Sequence, residues 1–90
     1  MNNQKILAMK LNEDIALSDN GFVFDPTSGE TFSLNQTGTD IIKLLKKGLN
    51  IEEIKKALLE KYEANDYEIE KEIYDFITIL KQYNLIKDNE

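Results

Sequence analysis

Residues 21–35 read GFVFDPTSGETFSLN. Two short apolar alternations, Phe22-Val23-Phe24 and Thr31-Phe32-Ser33-Leu34, flank Pro26-Thr27-Ser28-Gly29, and Asn35 closes the stretch. A period of two marks a half-buried strand, so two such runs around a Pro-to-Gly turn predict a hairpin. Phe22 and Phe24 share one face and Val23 takes the other. On the returning strand Phe32 and Leu34 point inward, Thr31 and Ser33 outward. A bare hairpin is marginal in water, so this one must pack on something, and its outer edge is either covered or used.

Ahead of the hairpin, Ile15-Ala16-Leu17-Ser18 reads as a short strand running into Asp19-Asn20-Gly21. Asn-Gly is a strong two-residue hairpin signal and predicts a type I′ turn, in which both positions take φ > 0. The result is a three-stranded antiparallel meander whose last strand, Glu30–Leu34, lies at an edge. Residues 5–11 read as an N-terminal strand or a docked arm, and periodicity does not decide between them. The chain then divides into an arm or extra strand over 1–12 and one domain over 13–87.

Past Asn35 the period changes to that of helices. Asn35 can cap the first, with Thr37-Gly38-Thr39-Asp40 as a rival capping-box start. Ile41, Ile42, Leu44 and Leu45 form its stripe, and Gly48 stops it as a left-handed C′ residue. Asn50-Ile51-Glu52-Glu53 is a second capping box, with Leu49 and Ile54 placed as a hydrophobic staple and Ile51, Ile54, Ala57, Leu58 and Tyr62 on one face. Asn65-Asp66-Tyr67-Glu68 caps the third helix, whose stripe is Ile69, Ile73, Phe76, Leu80 and Tyr83. Asn84 can take αL and let Leu85-Ile86 tuck back. The fold class is α+β: a winged-helix-like domain, a three-stranded antiparallel meander followed by a three-helix bundle.

Composition narrows the chemistry. The chain has 90 residues, no cysteine and no histidine, and its 11 basic residues against 17 acidic ones are all lysine, for a net charge of −6. Without thiols there is neither disulfide nor thiolate chemistry, which suits a reducing compartment. Without histidine the commonest general base and metal ligand is missing. Missing arginine argues against phosphate or base-edge recognition. No apolar run approaches the ~20 residues of a membrane span, and the polar start is no signal peptide. A cytoplasmic protein with no cofactor, no metal and no catalytic set is the expectation.

Taken together, Asp25-Pro26-Thr27-Ser28-Gly29-Glu30-Thr31-Phe32-Ser33-Leu34-Asn35-Gln36-Thr37-Gly38, the apolar Ile41-to-Leu45 run, Gly48, the Glu53-Ile54 pair and the Leu80-to-Ile86 ending resemble the PqqD family. The resemblance spans about residues 13–87. It departs at Ile42-Lys43, where relatives often carry Trp or another bulky residue, and at Asn84, where they often carry Gly. It implies a recognition element for ribosomally made, post-translationally modified peptides. In that family a precursor's leader segment adds as a strand to the third β-strand, beside the third helix, and is presented to a separate modifying enzyme such as a radical-SAM maturase, a protease or a cyclase. The implied peptide-binding residues are Glu30, Thr31, Phe32, Ser33 and Leu34 on the strand.

On the third helix Ile69, Ile73, Phe76 and Leu80 read as core. A second face carries Tyr67, Glu70, Tyr74, Ile77 and Lys81, and two tyrosines and an isoleucine on an otherwise solvated face are an oddity. Scattered surface apolar residues are one explanation. The other is a peptide groove lined by Tyr74 and Ile77 with Glu70 and Lys81 flanking and Ile73 beneath. The resemblance favours the groove. The carboxylates Glu52, Glu53, Glu70 and Glu72 read as solvated faces and not as a metal or acid–base cluster.

Two alternatives remain. One is an interaction adaptor, or a homodimer in which the open edge pairs with its own copy. The other is a winged-helix DNA-binding protein, whose recognition helix over 65–84 would carry a net charge of −3 and be repelled by phosphates. No nucleic-acid or membrane partner is expected.

Overall fold

Three asparagines start the three helices. The computed structural model describes residues 10–12 and 14–87, in the order β1 (Lys10–Leu11), β2 (Ala16–Leu17), β3 (Phe22–Asp25), β4 (Glu30–Ser33), α1 (Gln36–Lys46), α2 (Ile51–Lys61), α3 (Asp66–Gln82) and β5 (Ile86–Lys87). The Asn35 side chain accepts from the Gly38 N–H at 2.8 Å, so the helix begins there and not at Thr37. Asn50 and Asn65 each close a full capping box with Glu53 and Glu68, satisfying donors a helix start leaves orphaned.

Helix ends are set the same way. Gly48 (φ +91°) and Asn84 (φ +59°) occupy C′ positions after α1 and α3. In each case the next residue donates back to the third-last helical carbonyl: Leu49 to Leu44 at 3.2 Å, and Leu85 to Leu80 at 2.8 Å. These are Schellman closures, and the second turns Leu85 and Ile86 into the core.

β2, β3 and β4 form the meander, in that order, with β4 at one edge. The register places Leu17, Val23 and Phe32 in one row. That row faces the helices, and Val23 is fully buried. Phe22 and Phe24 lie on the outer face, 49 % and 43 % exposed. Ile41, Ile42, Ile54, Leu58, Ile73 and Leu80 complete the enclosed core.

One turn differs from expectation. Among the described non-glycine residues Asn84 alone has positive φ, so Asn20 does not, and the turn is not type I′. The Gly21 N–H instead donates to the Ser18 carbonyl at 3.2 Å, and Gly21 itself takes φ +88°. An ordinary turn followed by an αL glycine is the next commonest hairpin solution. The Ser18 hydroxyl accepting from the Phe22 N–H supports it.

β1 pairs antiparallel with β5, Leu11 opposite Ile86, which gives Lys10 and Leu11 a strand; residues 5–9 of the predicted strand or arm lie outside the described residues. Among the described residues no helix is long and apolar enough to cross a membrane.

Candidate functional site: the open edge of β4

Hydrogen-bond alternation decides which backbone groups of β4 are free to act. Leu34 donates to the Gly21 carbonyl at 2.8 Å, so its backbone faces β3. In an antiparallel ladder every second residue does so. Phe32, opposite Val23, therefore faces β3 as well, and the N–H and C=O groups of Thr31 and Ser33 point to the open edge. Both of these side chains are exposed. A partner strand would find up to four backbone groups there.

The floor and far wall beside this edge are apolar. Phe32 and Leu34 are half-buried and turn inward. Across from them α3 presents Phe76, Ile79 and Tyr83, enclosing a cleft of about 250 Å³ with Leu80 at its base. The rings of Phe32 and Tyr83 meet at 4.7 Å between centroids and 57° between planes, an angled packing favoured by aromatic quadrupoles. Ile79 and Tyr83 are each 47 % exposed, unusual for side chains of this size sharing one cleft. Gly38 lets α1 approach the same wall: a Cβ there would lie 3.1 Å from the Phe76 ring.

The predicted helix residues fall elsewhere. Ile77 is 3 % exposed and belongs to the core with Ile73, so it does not share a solvated face with Tyr74. At 100° per residue, Glu70, Tyr74 and Lys81 lie on the flank of α3 opposite Phe76, Ile79 and Tyr83. That flank runs beside α2, where Lys55 pairs with Asp66 at 2.9 Å and feels the charge of Glu70. Glu30 to Leu34 do stand together, at the edge. The cleft is completed instead by Phe76 and Tyr83, read from sequence as core, and by Ile79, which the sequence did not single out. Their signal was present: with Glu72 they recur at helical spacing on the stripe's other flank.

Between α1 and the end of α2 lies a polar knot that sequence reasoning missed. Asp40, only 9 % exposed, accepts from the Tyr62 hydroxyl, from Lys61 Nζ at 2.9 Å and from Gln36 Nε2 at 3.1 Å. Burial pushes its carboxyl up, but the donors outweigh it and hold the pKa below the usual carboxylate value. Their own hydrogen bonds to Asp40 raise the Tyr62 phenol and the Lys61 ammonium. The knot joins α1 to the end of α2. Among the described residues no group of three or more Asp or Glu is placed to hold a metal.

A three-stranded sheet with β4 at an edge, backed by three helices of which the last walls an apolar groove along that edge, defines the class: a small α+β binding domain. The family follows from comparison with known proteins. The family model of PqqD, coenzyme PQQ synthesis protein D, matches residues 20–86, and the chain belongs to that family. Two solved structures share the fold. TbiB1, in complex with the TbiA(beta) leader peptide, superposes with a TM-score of 0.80 at 25 % identity, covering 90 % of this chain and 98 % of that one. A lasso peptide synthetase B1, complexed with the leader peptide, gives 0.76 at 28 % identity, covering 89 % and 98 %. No curated protein matches the chain.

Proposed function

We propose that this protein is a non-catalytic recognition module for the leader segment of a precursor peptide, which it captures by strand addition to β4 and presents to a separate modifying enzyme. The observation that carries this reading is the outward backbone of Thr31 and Ser33 running beside the exposed wall of Ile79 and Tyr83. Main-chain hydrogen bonds supply a sequence-independent part of the affinity, and pockets for alternate side chains supply selectivity. The binding residues are Thr31, Phe32, Ser33 and Leu34 with Phe76, Ile79 and Tyr83. Kinship with the two leader-bound structures supports the ligand class.

The module's contribution to catalysis is concentration. A tethered peptide meets the partner enzyme at roughly mM effective levels, whether that partner is a radical-SAM maturase, a protease or a cyclase. All of this chemistry suits the cytoplasm.

The test is an NMR titration of labelled protein with leader peptides encoded in neighbouring reading frames. Amide shifts are expected at Thr31 and Ser33, with side-chain shifts at Ile79 and Tyr83. Shifts confined to Glu70, Tyr74 and Lys81 would sink the placement of the groove. Silent spectra together with a mass that climbs with concentration would replace the reading with a homodimer paired through β4.

A further inference from the structure

The apolar cleft does not end at Asn35. It shares Asn35, Phe76 and Ile79 with a second hollow at Thr37, Gly38, Glu72 and Asp75. That hollow in turn shares Thr37, Glu72 and Asp75 with a wider cleft of about 500 Å³ that reaches Tyr62, Glu68 and Tyr67. The three form one trough along a single flank of α3, from Tyr83 back to Glu68. At 1.5 Å per residue that is about 22 Å of helix. An extended chain rising about 3.3 Å per residue covers it in about seven residues, more than the outward groups of Thr31 and Ser33 can engage.

Chemistry changes along the trough. Its β4 end is apolar. Its far end carries Glu63, Glu68, Glu72 and Asp75 against Lys71, which is already held by Asp75 at 2.9 Å. Tyr67 stands at the rim, 69 % exposed.

We propose that the bound peptide continues past Leu34 into this far cleft and places a lysine or arginine side chain there, facing Glu72 and the ring of Tyr67. The inference rests on strand addition at β4. β4 runs toward this cleft, so in an antiparallel ligand the cation lies on the N-terminal side of the paired segment, about three to five residues from the apolar anchor. A ring face and carboxylates both attract a cation. Because the cleft is open to solvent, the pair acts on choice of ligand more than on raw affinity.

The experiment is an mRNA-display selection of random twelve-residue peptides on the wild type, on Glu72→Lys and on Ser33→Pro, each checked for fold by circular dichroism. Wild-type selections are expected to enrich an apolar residue with Lys or Arg at that spacing. Glu72→Lys is expected to keep the apolar preference and lose the cationic one. One selected peptide should bind about fivefold more weakly to Glu72→Lys at low salt, the scale of a screened ion pair, and its Lys→Gln version should not distinguish the two proteins. An apolar preference without a cationic one, or a cationic one that survives Glu72→Lys, overturns the far cleft alone. No enrichment on the wild type over Ser33→Pro overturns strand addition, and the far cleft with it.

Discussion

Gly21 shows how little room the turn between β2 and β3 leaves. Its φ is +88°, and a Cβ there would lie 2.9 Å from Thr39 Oγ1 and 3.1 Å from the Leu34 carbonyl oxygen. The hydroxyl can rotate, but the backbone oxygen cannot. Gly21→Ala should therefore cost about 2–3 kcal/mol, read as a lowered urea midpoint at unchanged slope. Asp40 makes a prediction in pH. Its pKa is depressed in the folded state, so its stabilising contribution is complete above the unfolded value and is lost as pH falls through the folded one. Below about pH 4 the wild type should lose stability along a limb that Asp40→Asn flattens, while at pH 7 the variant should be less stable by about 1–2 kcal/mol. Nothing local announces this knot: Asp40 has the look of a capping-box acid, and its partners Lys61 and Tyr62 come from the end of another helix.

Among elements, five of the six helix boundaries were legible because each is written within a few residues: Asn35, Asn50 and Asn65 in front, Gly48 and Asn84 behind. The end of α2 carries no such signal, and Tyr62, read on its face, is the extended residue that closes it. The meander was legible for the same reason, though Asn20-Gly21 settled into a different turn from the one its dipeptide suggests. The face of α3 was not. Periodicity fixes the stripe of Ile69, Ile73 and Leu80, but either flank of a stripe can border a sheet, and only the packed structure selects the one with Phe76, Ile79 and Tyr83. The pairing of β1 with β5 was likewise out of reach, being a contact between the two ends of the domain. The alternation along β4 yields a paired prediction. Ser33→Pro removes an edge-facing donor and should abolish peptide binding, by fluorescence polarisation, with the thermal midpoint little changed. Phe32→Pro removes a donor that faces β3 and should unfold the sheet.

At the scale of the molecule, ligand binding and stability are linked. A peptide present at a hundred times its Kd stabilises the folded state by about 2.7 kcal/mol, which for a domain of this size should raise the thermal midpoint by roughly 10–20 °C. A smaller rise at saturation would mean that the peptide also binds the unfolded chain. Charge sets a further limit: with a net −6, recognition of a cationic segment should weaken as ionic strength rises. The clasp of β1 on β5 has its own consequence. It brings Lys10 opposite Lys87, on a two-stranded ladder separate from the sheet whose edge lies open, so the chain enters and leaves the domain at neighbouring points. A domain so built can be spliced into the loop of a larger enzyme, or permuted by bridging 10 to 87 and cutting at Gly48, without redrawing the groove. Its portability is a property of that short ladder, and a single engineered polypeptide carrying both capture and chemistry is the natural use of it.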